Sequence, residues 1–279
     1  MAGDIRKIGF VGLGNMGADQ VRELLKVPVP LTIYDVAPAS MARFDGKATL
    51  AKNMAEVGTG ADAVSICVQD DQQVNQCAEL LLPAMKPGSV LMIHSTVRPA
   101  TMIALGQRSA ARGITVLDAA VTRTGPIKDG PFLFCMTGGD ESAALRMQSI
   151  LDAFSTNTLY VGPLGSAMAL KICNNLASIC SVLIGLEAVS LAETVGVPLE
   201  KLLTVMKQNG VLTPFAQYFV SAKNSPSDEL KATMKTMAGI CEKDLRLAET
   251  LASDAGAEAP ITSFVRDKIR EKITRLFEK

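Results

Sequence analysis

Seven short apolar runs punctuate the first 162 residues: KIGFVG, LTIYD, AVSICV, VLMIHST, ITVLDAAV, FLFCMTGG and TLYVG. Each has strand length and turn residues at its ends. Between most of them lie amphipathic stretches of helical period, such as ADQVRELLK, DQQVNQCAELLLPAM and PATMIALGQRSAARG. Buried strands alternating with helices predict crossover units and a mostly parallel sheet covered on both faces. After Gly165 the strands stop. Helical period runs from about Ser166 to Val195, ends at GVP, and resumes in LEKLLTVMK, MAGICEKDLRLAETLASDAG and ITSFVRDKIREKITRLF as two or three further helices. The expected architecture is α/β: a doubly wound sheet domain over 1–162, a connecting helix over 163–195, and an all-α domain over 196–279.

The first strand runs into IGFVGLGNMG, which spaces Gly12, Gly14 and Gly17 as G-x-G-x-x-G at the start of a helix, with Leu13, Asn15 and Met16 between them. Such a loop lets backbone approach a pyrophosphate and points a helix N-terminus at its charge. The second strand ends at Asp35, 18 residues after Gly17, where a carboxylate can accept hydrogen bonds from ribose hydroxyls. A Rossmann-type site for NAD follows. Val36, Ala37 and Pro38 come next, with no arginine among them to hold a 2′-phosphate, so NAD is expected over NADP. Later strand ends place Gln69, Ser95 and Thr96 toward the same cleft. For Ser95 and Thr96 the alternative is capping the helix that starts near Pro99.

Composition narrows the partners. Lysine plus arginine balances aspartate plus glutamate at 28 each, which leaves no basic field for nucleic acid and points to small molecules. The six cysteines form no C-x-x-C pair and have no histidine cluster beside them, so no metal site is expected and the thiols read as reduced, in a cytoplasmic protein. Asn174, Asn175 and Glu187 interrupt the most apolar stretch, which therefore reads as a buried helix and not as a membrane span.

In ALKICNNLAS, Lys171, Asn175 and Ser178 stand at i, i+4 and i+7, one face of a helix, with Asn174 at its edge. Polar groups inside an apolar helix are costly to bury and need a use. Beside a nicotinamide cofactor, a lysine of lowered pKa can protonate a carbonyl oxygen or accept a hydroxyl proton in reverse. The alternative is a lysine that reaches out to water. His94, the sole histidine, has no local aspartate to orient it and reads as a supporting or packing residue.

These motifs together resemble the β-hydroxyacid dehydrogenases across essentially the whole chain: GFVGLGNMG for the cofactor loop, STVRP for a second cofactor loop, GSAMALKICNN for the catalytic lysine helix, and EKDLRLA for a late helix. The resemblance implies NAD(P)-dependent interconversion of a 3-hydroxy acid and its semialdehyde. It also implies Lys171 as acid/base, Asn175 orienting the substrate, Lys243 approaching the cofactor, and assembly as a homodimer or homotetramer. One signature departs from the family. Where relatives carry D-A-P-V-S-G-G, this chain has DAAVTRT, keeping Asp118 and a hydroxyl at Thr122 but placing Arg123 and Thr124 where glycines stand. In this it resembles the sulfolactaldehyde reductases, and Ser178 matches them too. A C3 sulfonate held by Arg123 is therefore one alternative, with Arg123 paired to an acid such as Asp129 another. Imine reduction and a non-catalytic NAD-binding sensor are the remaining alternatives.

Overall fold

The computed structural model describes residues 5–123, 130–222 and 227–277. In chain order the elements are β1 (Ile8–Val11), α1 (Asn15–Leu24), β2 (Leu31–Tyr34), α2 (Pro38–Ala42), β3 (Thr49–Leu50), α3 (Met54–Gly58), β4 (Ala63–Ile66), α4 (Asp71–Leu81), β5 (Val90–Ile93) and α5 (Pro99–Ala110). They continue with β6 (Thr115–Arg123), β7 (Leu133–Gly139), α6 (Glu141–Leu151), β8 (Ser155–Gly162), α7 (Ser166–Thr194), α8 (Leu199–Gln208), α9 (Pro214–Ala222), α10 (Asp228–Ala255) and α11 (Pro260–Thr274). All seven apolar runs form strands. β3 is an addition of two residues, too short to carry an apolar signal, that pairs with β2 through Thr32↔Thr49. The helical region likewise holds α9 beyond the expected helices; its PFAQYFVSA is short and aromatic, a pattern that fits strand and helix alike.

The strands form one sheet in the order β3-β2-β1-β4-β5-β6-β7-β8. Only β6 and β7 are antiparallel neighbours. Alternation along each strand feeds two cores: Leu117, Ala119 and Val121 enter one, Val116 and Ala120 the other. The direction of winding reverses between β1 and β4, which is the crevice where such sheets bind ligands.

The chain divides into two compact units, Met1–Lys171 and Ile172–Lys279, so the division falls inside α7, directly after the lysine. Although α7 is long and apolar enough to cross a membrane by length and composition, its Ile179, Val182, Leu183, Leu186 and Val189 are buried. They join Phe219, Met234, Leu245 and Ile269 in the core of the second unit.

Two buried titratable groups sit at the centre of the first unit. His94 is packed against Phe10, with stacked rings 5.9 Å apart, and edge-on to Phe154 at 5.6 Å. Its Nδ1 lies 2.7 Å from the Ala119 carbonyl oxygen, which can only accept, so Nδ1 carries the proton and Nε2 faces the Ser65 hydroxyl at 3.0 Å. Burial pushes this imidazole down to about 4. It is a neutral packing residue, as its sequence context suggests. Asp118, fully buried on β6, accepts hydrogen bonds at Oδ2 from the N–H groups of Gly165 (2.8 Å), Ala167 (3.0 Å) and Met168 (3.4 Å), at the N-terminus of α7. Burial raises its carboxyl to about 6, against the pull of those three N–H groups.

The signs of the two linkages are opposite. His94, with a lowered folded pKa, contributes stability that is present above its unfolded value of 6.5 and lost as pH falls through about 4. Asp118, with a raised one, contributes stability that is present below 3.8 and lost as pH rises through about 6, on the order of 3 kcal/mol for the full span. An asparagine in place of Asp118 keeps an oxygen for the amides and cannot ionise. The Tm of Asp118→Asn relative to wild type is therefore expected to climb steadily as pH is raised from about 4 to about 7; a difference that stays level across that range contradicts the assignment.

Candidate active site

The three glycines of the β1–α1 loop have three distinct uses. Gly12 has φ +94°, and a Cβ there would sit 2.3 Å from the Cys67 carbonyl oxygen, so only glycine makes the turn against β4. A Cβ at Gly17 would lie 1.9 Å from the Gly12 oxygen, so α1 packs directly on the loop. At Gly14 a Cβ would meet nothing within 4 Å. Gly14 is also the N-cap of α1 and makes no side-chain cap bond, so the first-turn N–H groups receive no cap from it. This cradle fits the pyrophosphate of a dinucleotide.

The middle of the loop is held from both sides. Leu13 is fully buried; its N–H donates to Asp35 Oδ2 at 2.6 Å and its carbonyl accepts from Arg43 Nη2. Asp35 Oδ1 accepts from Ala37 N at 2.8 Å. Each carboxylate oxygen keeps a further lone pair for a ribose hydroxyl. The amino-acid order gives no sign of Arg43, because it lies eight residues beyond Asp35 and no spacing rule connects it to the loop.

Ser95 and Thr96 stand where β5 ends. Ser95 is buried and its Oγ accepts from Val68 N at 2.8 Å, tying the end of β5 to the end of β4. The N-cap of α5 is Arg98, without a side-chain cap bond of its own. Asp71 serves that end of α5, accepting from Arg98 N at 3.0 Å and from Thr101 Oγ1 at 2.5 Å. Gln69 is exposed, and its N–H donates to Gln73 Oε1 at 3.1 Å.

Lys171 is 8% exposed, in the second turn of α7. The same helix carries Asn175 one turn later and Ser178 after it. Within the second unit, Asn175 Nδ2 donates to Asp244 Oδ2 at 2.7 Å, and its Oδ1 accepts weakly from Asn174 Nδ2 at 3.4 Å. Asp244 is buried, and Lys243 Nζ forms an ion pair with its Oδ1 at 2.8 Å. The amide of Asn175 is thus locked in one orientation, its oxygen turned away from Asp244. Asp244 is a site residue that sequence reasoning misses; its only signal is an acid directly after Lys243 in EKDLRLA.

β6 ends at Thr122 and Arg123, paired in register with Phe134 and Leu133 of β7. Arg123 Nη2 donates to Asp19 Oδ2 at 2.6 Å, and its guanidinium lies 5.6 Å from the centre of the Phe132 ring. Asp19, buried on α1, also pairs with Arg22. The partner of Arg123 is therefore an acid of the cofactor-loop helix; Thr124 and Asp129 lie outside the described residues.

Comparison with known proteins agrees with this fold. Residues 7–162 match the family described as the NAD binding domain of 6-phosphogluconate dehydrogenase. Residues 165–276 match the family described as NAD-binding of NADP-dependent 3-hydroxyisobutyrate dehydrogenase. The chain is 30% identical to an uncharacterized oxidoreductase of Mycobacterium tuberculosis, over 94% of this chain and 92% of that protein. It is 32% identical to the mitochondrial 3-hydroxyisobutyrate dehydrogenase of Homo sapiens, over 68% of this chain and 57% of that protein. It is 27% identical to the NAD-dependent L-serine dehydrogenase of Pseudomonas aeruginosa, over 93% and 89%. Among solved structures, the 3-hydroxyisobutyrate dehydrogenase of Mycobacterium tuberculosis with L-serine shares the fold at a TM-score of 0.81 and 24% identity, covering 96% of this chain and 93% of that one. An imine reductase of Streptomyces aurantiacus shares it at 0.66 and 18%, covering 98% and 100%. Both halves of the chain match models of dehydrogenase domains, and the chain belongs to the β-hydroxyacid dehydrogenase family, as a 3-hydroxyisobutyrate dehydrogenase-like NAD-dependent oxidoreductase.

Proposed function

We propose that this enzyme interconverts a small 3-hydroxy acid and its semialdehyde, with Lys171 as acid/base. The observation that carries the proposal is a lysine buried in α7 one turn before an amide that Asp244 holds fixed. Bound at that cradle, NAD(H) would supply or take up the hydride. In the reducing direction the Lys171 ammonium donates a proton to the carbonyl oxygen; in the oxidising direction its amine accepts the hydroxyl proton. Asn175 orients the substrate through an amide that Asp244 prevents from flipping, with Asn174 and Ser178 lining the same helix face. Gly12 through Gly17 and Asp35 hold the cofactor, with Gln69, Ser95, Thr96 and Lys243 assigned to its other groups.

Thr122, Arg123 and Thr124 are assigned to the substrate's acid group. The sulfonate alternative draws support from Arg123, 37% exposed at its side chain and close to the strand end. The pairing with Asp19 supports the carboxylate reading, because part of the guanidinium's charge is already compensated by a buried acid. Lys171 and the fixed amide favour a carbonyl over an imine, and both are superfluous in a sensor that only binds NAD. Six free cysteines suit a reduced, cytoplasmic setting. Exposed Ile184 and Leu191 on α7 support assembly as a homodimer or homotetramer.

Lys171→Ala is expected to lower kcat at least about 100-fold, the scale of a lost general acid or base, while the Kd for NADH measured by fluorescence stays within a few-fold. Near-normal turnover removes the assignment. For the acid group, wild type and Arg123→Ala are compared on carboxylate and sulfonate semialdehydes side by side. The expected result is turnover of the carboxylate by both proteins, with KM raised by the loss of Arg123 but by less than about threefold, because Asp19 already compensates part of its charge. A KM for the sulfonate that rises at least about tenfold on losing Arg123, the scale of a charged hydrogen bond, favours the sulfonate instead.

A further inference from the structure

Asp118 is a fully buried carboxylate that plays no part in the chemistry assigned above. It sits in mid-β6, yet its Oδ2 gathers three N–H groups from the turn and first residues of α7: Gly165 at 2.8 Å, Ala167 at 3.0 Å and Met168 at 3.4 Å. First-turn amides have no acceptor within their own helix and usually find one in a Ser, Thr, Asn or Asp just before it, in contact with water. Here the acceptor comes from a strand 47 residues earlier than Gly165 in the chain. Its Oδ1 has no hydrogen-bond partner among the described residues. An acid so placed is an expensive cap, and a local hydroxyl would serve a helix end equally well.

The neighbouring residues are shaped around this contact. A Cβ on Gly138 of β7 would lie 2.8 Å from Asp118 Oδ2 and 3.2 Å from Ala167 N, so the glycine leaves the room in which strand and helix end meet. Gly165, at φ +97°, turns the chain into α7 with Pro99 directly against it, where a Cβ would be 3.2 Å away. The start of α7 is therefore fixed to β6 by hydrogen bonds and confined by β7 and α5. Lys171 follows Met168 by three residues, one turn along the same helix.

We infer that Asp118 is a positioning residue for the reaction: by anchoring the first turn of α7 to β6, it sets the depth and direction from which Lys171 Nζ meets its substrate. This rests on the reading of Lys171 as acid/base. A shift of one ångström in a reacting group is enough to cost about 100-fold in rate, so a small release of the anchor acts on kcat. Cofactor binding, which belongs to the β1–α1 loop and Asp35, is left as it is.

The test compares full-length wild type, Asp118→Ala, Asp118→Asn, Gly138→Ala and Lys171→Ala. Two readouts are used: steady-state kinetics with NAD and 3-hydroxyisobutyrate or L-serine, whichever wild type turns over faster, and hydrogen exchange of the amides of Gly165, Ala167 and Met168. Asp118→Ala is expected to lower kcat at least about tenfold, leave KM for NAD within about twofold, and speed exchange at those amides at least about tenfold. Asp118→Asn, which still offers an oxygen to them, restores kcat to within about threefold of wild type. Gly138→Ala, which crowds the same oxygen without removing it, lowers kcat with KM for NAD unchanged, and decides the matter if Asp118→Ala does not fold. Wild-type kcat in Asp118→Ala or Gly138→Ala, or no rescue by asparagine, overturns the inference while an inactive Lys171→Ala leaves the catalytic reading standing. A Lys171→Ala variant that turns over normally overturns both.

Discussion

One hydrogen-bonded anchor, the Asp118 carboxylate against the first amides of α7, joins the parts of this enzyme that must act together. β6 is a strand of the sheet that carries the cofactor loop, and α7 is the helix that carries the lysine. A long helix entered from a glycine turn would otherwise rely on weak local capping for the position of its first residues. Burying an acid to define that position is costly, and the cost shows in a carboxyl pushed up to about 6 despite three N–H donors. Burial outweighs the three N–H donors, and Gly138 and Pro99 crowd the turn into α7 on either side.

The cofactor loop follows the same logic with smaller means. Sterics alone assign Gly12 and Gly17 to the fold, since a side chain at either would collide with backbone, and leave open space at Gly14, where the proposed cofactor would lie. The polar groups of Leu13 are consumed by Asp35 and Arg43, which hold the loop in shape from the β2 side. Asp35 has a use for the backbone and, in the proposed reading, a second for ribose, so substituting it would alter the loop itself as well as any preference between NAD and NADP.

Much of this was legible in the amino-acid order, for local reasons. Apolar runs with turn residues at both ends announce buried parallel strands, and all seven are strands in the structure; the two-residue β3 has no such run to announce it. The glycine spacing, Asp35, and the face bearing Lys171, Asn175 and Ser178 are short-range patterns, and they sit where the period of strand or helix puts them. What could not be read depends on distant partners. Arg123 meets Asp19 across 104 residues, Asn175 meets Asp244 across 69, and Asp118 meets Gly165 across 47. No local period encodes those pairs. Pairing of Arg123 with an acid is one reading of the strand end, but the acid it meets, Asp19, lies on α1, where no local pattern points.

The central claim is that the Lys171 amine itself carries the proton. Its most direct test is chemical rescue of the truncated side chain: Lys171→Ala supplied with small primary amines of graded basicity, with NADH formation from the hydroxy acid followed at fixed pH. The expected result is turnover that returns in proportion to free amine and rises with amine basicity, as Brønsted behaviour requires. Turnover that ignores both the amine and its basicity would contradict the assignment.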